Sequence, residues 1–177
     1  MANIALNKPS GGQLILSPED GTSTETVTIP SVGVGKVLQV VQGELLTSFS
    51  TTSGAWNWTD TGLTASITPA SSGSKILVRV SYNLRNSVDG YNIYTALNRN
   101  GTLIGAGNPN GIILTAATTF GGRHGTHNAE VLDTPATTST LTYKVQMCTE
   151  GNTAYLNDIN NATFQPRATI TLMEVAA

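Results

Sequence analysis

The two histidines of the chain stand close together in GGRHGTHNAE, at His124 and His127, with Glu130 three residues further on. Imidazole is an ordinary ligand for a divalent ion and an ordinary proton carrier near neutral pH. The spacing is not that of a helical zinc protease, which needs histidines at i and i+4 with a glutamate between them. In an extended strand, residues three apart point to opposite faces. The two rings converge only if GRHGTH is a tight loop, which Gly121, Gly122 and Gly125 permit. Three readings follow: a glycine-rich surface loop with solvated or hydrogen-bonded rings, a metal site, or acid–base chemistry. His124 and His127 are the metal candidates. No residue is assigned to catalysis, and no cofactor is expected.

Other reactive groups are sparse. Cys148, the single cysteine, lies in the alternating run TYKVQMCTE, where a thiol packs like a small apolar group. A catalytic thiolate needs a basic neighbour or a helix N-terminus, and neither is evident. Glu19, Asp20 and Glu25 make an acidic loop without the regular oxygen spacing of a calcium site. Asp158 sits among amides in LNDINNA, which suits an Asx turn or a carbohydrate-contacting loop. Trp56 and Trp58, two apart, are expected on one strand face as core, as a seam between copies, or as a stacking platform for sugars. Asn57, Asn100 and Asn161 begin matches to the glycosylation sequon. No Ser-His-Asp order or phosphate-cradling loop is visible, and the glycines at Gly33 and Gly35 precede no helix. Glycan hydrolysis needs two carboxylates held roughly 5–10 Å apart. None of the eleven acids is obviously gathered into such a pair.

Composition narrows the partners. Charged residues are 11% of the 177, and the formal net charge is -2. Nine Lys and Arg spread along the chain do not make the clustered positive face that nucleic acid requires. The longest apolar runs, such as Gly111–Ala117, are too short to span a bilayer. The start, MANIALNKPSGG, is not a secretory signal, so folding where the chain is made, or export without a signal, is expected.

The elements that must position these groups are strands. No stretch of ten residues keeps the helical period. In SKILVRVSYNL, residues Ile76, Val78, Val80, Tyr82 and Leu84 face one way and Lys75, Arg79, Ser81 and Asn83 the other, giving a strand with one buried face. Tyr91, Ile93, Thr95 and Leu97 alternate likewise, and Asn100-Gly101 supplies a two-residue hairpin turn. Trp56, Trp58 and Asp60 lead into a strand continued by Leu63, Ala65 and Ile67. Leu141, Tyr143, Val145 and Met147 form another, turned at Glu150-Gly151-Asn152. Ala168, Ile170 and Leu172 share a face of the last strand, with Thr169, Thr171 and Met173 opposite. From Val37 to Phe49 the alternation breaks near Gly43, where a bulge is expected. Roughly eight strands at short spacing predict an all-β fold, an antiparallel β-sandwich or jelly roll over residues 34–177. Residues 1–33 read as strand, polar loop and strand, an N-terminal β-hairpin arm with Leu14 and Leu16 in one strand and Val27 and Ile29 in the other. A lone hairpin is marginal in water, so this arm must pack on something.

GGQLILSPEDGTSTETVTIPSVG resembles the hairpin segments of tail fibres and other virion proteins of tailed bacteriophages. GKVLQVVQ, WTDTGLTASITPASSGSKILVRVSY and the final ATITLMEV resemble a structural domain found at the end of such fibres. The body is similar in length and strand rhythm to the trimeric jelly rolls of the C1q and tumour-necrosis-factor class. These resemblances imply a virion structural protein, homotrimeric, with the arm docked on other virion proteins and the jelly roll displayed outward. Host-surface glycan is an implied partner of the loops. Some fibre tips carry an H-x-H repeat that ligates metal on the trimer axis, and the single H-x-x-H here departs from it. A tail-fibre or baseplate appendage is the leading expectation. A capsid decoration (cement) protein is the alternative, and a glycan depolymerase the remote one. The short chain leaves almost no shaft to extend, which favours decoration; the arm favours the tail.

Overall fold

The structure is a computed structural model and describes residues 14–16, 25–27, 36–105, 112–117, 125–159 and 166–176. The chain forms two compact units, Met1–Lys36 and Val37–Ala177. In the first, β1 (Leu14–Leu16) pairs antiparallel with β2 (Glu25–Val27), Leu14 opposite Val27. The acidic positions Glu19 and Asp20 lie outside the described residues.

The second unit is built from β3 (Val37–Leu45), β4 (Phe49–Thr51), β5 (Thr59–Ile67), β6 (Lys75–Asn86), β7 (Asn92–Arg99), β8 (Thr102–Ile104), β9 (Ile112–Ala117), β10 (Gly125–Asp133), β11 (Leu141–Thr149), β12 (Ala154–Leu156) and β13 (Ala168–Val175). No helix occurs among the described residues. On one edge of β6 lies β10; on the other, β12 and β13 lie end to end, flanked in turn by β4 and β3. The second sheet runs β5, β11, β7, with β8 and β9 end to end on the outer edge of β7. Every pairing is antiparallel, and successive long strands cross between the sheets in jelly-roll order.

Alternation explains the core. Ile76, Val78, Val80, Tyr82 and Leu84 of β6, Leu63, Ala65 and Ile67 of β5, Leu141, Tyr143, Val145 and Met147 of β11, and Ala168, Ile170 and Leu172 of β13 are all buried between the sheets. Each fully buried Leu or Ile contributes about 1.5–3 kcal/mol, because its apolar surface leaves water. Tyr82 is tolerated there because its hydroxyl meets Thr95 Oγ1 of the facing sheet at 2.7 Å. Burial pushes the Tyr82 phenol up to about 12.

Asn100 and Gly101 hold φ of 48° and 94°, the two positive values that a tight hairpin needs, and join β7 to β8 with Arg99 opposite Thr102. Two sequence expectations fail. Gly43 is not a bulge: it sits in register opposite Ile170, and the register shift falls at the start of β3, where Glu174 meets Gln39 and Val175 meets Val37. The glycine is there because a Cβ would lie 1.9 Å from the Thr64 carbonyl oxygen of β5, where the two sheets close on each other. Nor do Trp56 and Trp58 share a strand face, because β5 begins only at Thr59 and Trp56 lies in a turn.

The ends of the sandwich are pinned by polar groups. At one end Arg99 Nη1 donates to both carboxylate oxygens of Asp133 at 2.7 and 2.6 Å, and the Tyr143 hydroxyl donates to Asp133 Oδ2 at 2.7 Å. Beside it Glu174, on the buried face of β13, accepts from Gln39 Nε2 at 2.6 Å and from the Ala70 N–H at 2.8 Å. Burial alone would raise that carboxyl. The amide of Gln39 and the backbone N–H groups around Ala70 outweigh it and hold Glu174 below its usual range. At the opposite end, Asn157 fills the gap between β12 and β13. With φ of 61° it is fully buried, its N–H donates to Asn83 O at 2.9 Å, and its Nδ2 reaches Leu45 O at 2.8 Å. Asn tolerates this left-handed backbone better than most side chains.

Candidate functional site

The end of the sandwich opposite Asp133 and Glu174 carries the connections 52–58, 87–91 and 150–153. They are tied into one surface. Thr149 N–H donates to Ser53 O at 2.9 Å, Ser87 N–H to Thr153 O at 2.8 Å, and Glu150 N–H to Asn92 O at 3.0 Å. Beneath them the buried Asn86 amide donates to Thr149 Oγ1 and Gly151 O, both at 3.1 Å. Neutral amides and hydroxyls thus hold the loops without a buried charge, which keeps the cost of burial low.

On this surface Gly54-Ala55-Trp56-Asn57 forms a β-turn closed by Asn57 N–H to Gly54 O at 3.0 Å. Trp56 occupies its third position at φ 69°, where glycine or asparagine is the usual occupant. The indole lies over Tyr94, with ring centroids 5.0 Å apart and planes at 29°, yet Trp56 remains 47% exposed. One ring face is covered by Tyr94; the exposed remainder faces solvent. The Tyr94 hydroxyl donates to Glu150 Oε1. Asn92 Nδ2 reaches Glu150 Oε2 at 3.0 Å and the Asn92 N–H reaches it at 3.3 Å. These donors hold the exposed Glu150 carboxyl below its usual range, Tyr94 foremost, and the same bond to Glu150 raises the Tyr94 phenol. Tyr91 is seated against Gly151, where a Cβ would come within 2.7 Å of its ring. The arrangement is a fixed, ionised carboxylate beside an exposed aromatic plate.

The sequence candidates scatter. His127 lies in β10 opposite Tyr82, half-buried on the inner face, so Gly125 to His127 is strand and not a turn. Burial lowers its pKa and favours the neutral ring. His124 and Asn161 lie outside the described residues. Cys148 is fully buried next to Trp56, and burial pushes its thiol up against the opposing hydrogen bond from the Trp56 backbone. Asp158 pairs with Arg85 Nη2 at 3.0 Å, and that guanidinium lies 4.0 Å over the Tyr155 ring. Trp58 is half-buried. Among the described residues no group of three His, Cys, Asp or Glu is placed to hold a metal ion. Sequence reasoning passed over Glu150 as a turn residue and Tyr94 altogether. An aromatic at a turn position meant for glycine was the signal available, but it depends on knowing where the turn falls.

A second surface stands on the outward face of the β3–β13–β6–β10 sheet. Val40 lies opposite Met173, Met173 opposite Leu77, and Leu77 opposite Leu132, one apolar row across four strands. Val40 is 56% and Leu132 55% exposed. The exposed Val37 and Leu38 extend the row at its β3 end. The next row is polar: Gln42 donates to Thr171 at 3.0 Å, and Arg79 pairs with Glu130 at 2.5 Å.

No family model matches this chain, and no curated protein does. Among solved structures it is similar to a mutant VP2 protein of infectious bursal disease virus in derived T=1 particles, at 15% identity and a TM-score of 0.43, over 93% of this chain and 41% of that one. The infectious bursal disease virus Gt strain structure gives 15% and 0.43, over 99% and 47%. A Bacillus endospore appendage, of a family of disulfide-linked pili, gives 12% and 0.36, over 85% of this chain and 100% of that one. The chain therefore spans less than half the length of the viral proteins it matches.

Proposed function

We propose that this chain is a structural subunit of a bacteriophage particle that assembles with copies of itself and catalyses no reaction. The apolar row Val40–Met173–Leu77–Leu132 carries this reading. Val40 and Leu132 at its ends are each more than half exposed, and contiguous exposed apolar patches mark interaction sites. Further support comes from the jelly-roll fold and from the fibre-like N-terminal hairpin sequence. Among the described residues, five of the seven Lys and Arg side chains are paired with carboxylates, which does not favour a face for nucleic acid.

The finer reading is a homotrimeric tail-fibre or baseplate appendage, attached to the particle by residues 1–33 and presenting its loop end outward to the host surface. A capsid decoration protein is the second reading. The mass in solution tests assembly: light scattering at micromolar concentration is expected to give three times the 18.5 kDa of the chain. Leu132→Asp combined with Val40→Asp is expected to give a monomer with unchanged circular dichroism. A monomeric wild type sinks the proposal. Copy number per particle separates a few appendages from a decoration protein at capsid stoichiometry.

A further inference from the structure

We propose that Trp56, Tyr94, Asn92 and Glu150 form a binding site for a neutral oligosaccharide. The observation is a strained aromatic on a rigid base. A non-glycine residue held at positive φ costs on the order of 1–3 kcal/mol, and such outliers cluster where a function holds them. Here glycine would complete the Gly54–Asn57 turn without strain, yet the position carries the largest side chain available. The stack on Tyr94 offsets part of that cost but uses only one indole face. Trp56 is 47% exposed, so a large part of the residue stays open to solvent.

The chemistry beside the plate selects the ligand. A pyranose ring has an apolar C–H face that stacks on indole and hydroxyls that donate to a carboxylate. Glu150 has about four lone-pair positions and three donors. Acceptor capacity remains for a ligand hydroxyl, and the Asn92 side-chain carbonyl adds another acceptor. Tyr94 links the two parts, since its ring carries the indole and its hydroxyl carries the carboxylate. The fixed negative charge of Glu150 disfavours acidic sugars. The base does not need to reorganise, because Asn92 and Glu150 are already bonded through main chain and side chain. This inference deepens the host-surface reading above but rests on other residues, so a failure of self-assembly leaves it standing and its own failure leaves assembly standing.

The test is an NMR titration of the intact chain with chitotriose, maltotriose and galactotriose, and with trigalacturonate as the acidic probe. The two indole N–H resonances report separately, with Trp58 as the internal control. At least one neutral trisaccharide is expected to move the Trp56 resonance saturably and leave Trp58 in place, with trigalacturonate silent. Trp56→Gly, which keeps the turn unstrained and the chain folded, is expected to lower the affinity at least about tenfold, read from the backbone amides of Asn92 and Glu150. Glu150→Gln is expected to weaken binding by about three- to tenfold, through loss of a charge-assisted hydrogen bond. If none of the three neutral sugars binds, or if Trp56→Gly binds as wild type, the proposal is overturned.

Discussion

Replacing Gly43 by alanine tests the claim that this residue is there for close approach. An alanine Cβ would lie 1.9 Å from the Thr64 oxygen and 2.9 Å from the Thr64 carbonyl carbon. Ordinary separations are about 3.5 Å, so β3 and β5 must part by roughly 1.5 Å at this point. Thr64 has no room to turn aside: its Oγ1 donates to Tyr143 O at 2.9 Å, and its backbone pairs with Lys144. Ile170 Cγ2, at 3.1 Å, closes the other side. Overpacking against backbone falls at the upper end of its range, about 3 kcal/mol. For a chain of this size, that lowers the melting temperature by about 6–12 °C. Gly54→Ala is the control, because nothing lies within 4 Å of its Cβ and its φ is not positive. Its midpoint is expected to hold or rise, by up to about 1 kcal/mol of stability. Both are read by thermal unfolding followed by circular dichroism. A Gly43→Ala protein that melts within about 2 °C of wild type refutes the close-approach account.

Two further substitutions test the pinned end. Glu174→Gln sets an amide donor against Gln39 or Ala70 and is expected to cost about 2 kcal/mol at neutral pH by urea unfolding. Because the folded-state pKa of Glu174 lies below the ordinary 4.5, its contribution is complete above that value and is lost as pH falls through the folded pKa, so the wild-type advantage should shrink in acid; an advantage that grows in acid contradicts the assignment. Asp133→Ala strips the partner from Arg99 and from the Tyr143 hydroxyl and is expected to cost about 3–5 kcal/mol, measured the same way; a loss under about 1 kcal/mol would mean that water replaces the carboxylate without penalty.

How much of this was legible depends on the range of the forces involved. Period-two alternation is a local property, and it placed Ile76 to Leu84, Leu141 to Met147 and Ala168 to Leu172 on the faces they occupy, because a strand turns every second side chain to the same side. Asn100-Gly101 was legible for the same reason, since positive φ is a cost each residue bears alone. The β10 strand was missed because its glycine-rich entry and half-buried alternation resemble a polar loop until β6 supplies a partner. Trp56 and Trp58 were misread because aromatics two apart mimic a strand when the turn between Gly54 and Asn57 is not yet known.

From its order of residues alone, this chain determined that it would be all strand, which faces would be apolar, and that its surface would carry little charge. Only the packed sandwich decided that Gly43 must clear Thr64, that Glu174 would be buried among donors, that an apolar row would cross four strands, and that Trp56, Tyr94, Asn92 and Glu150 would meet. The reason is physical. Alternation and turn preference are written within a few neighbouring residues. A close approach or a shared hydrogen bond exists only once segments as distant as Trp56 and Glu150 have been brought together.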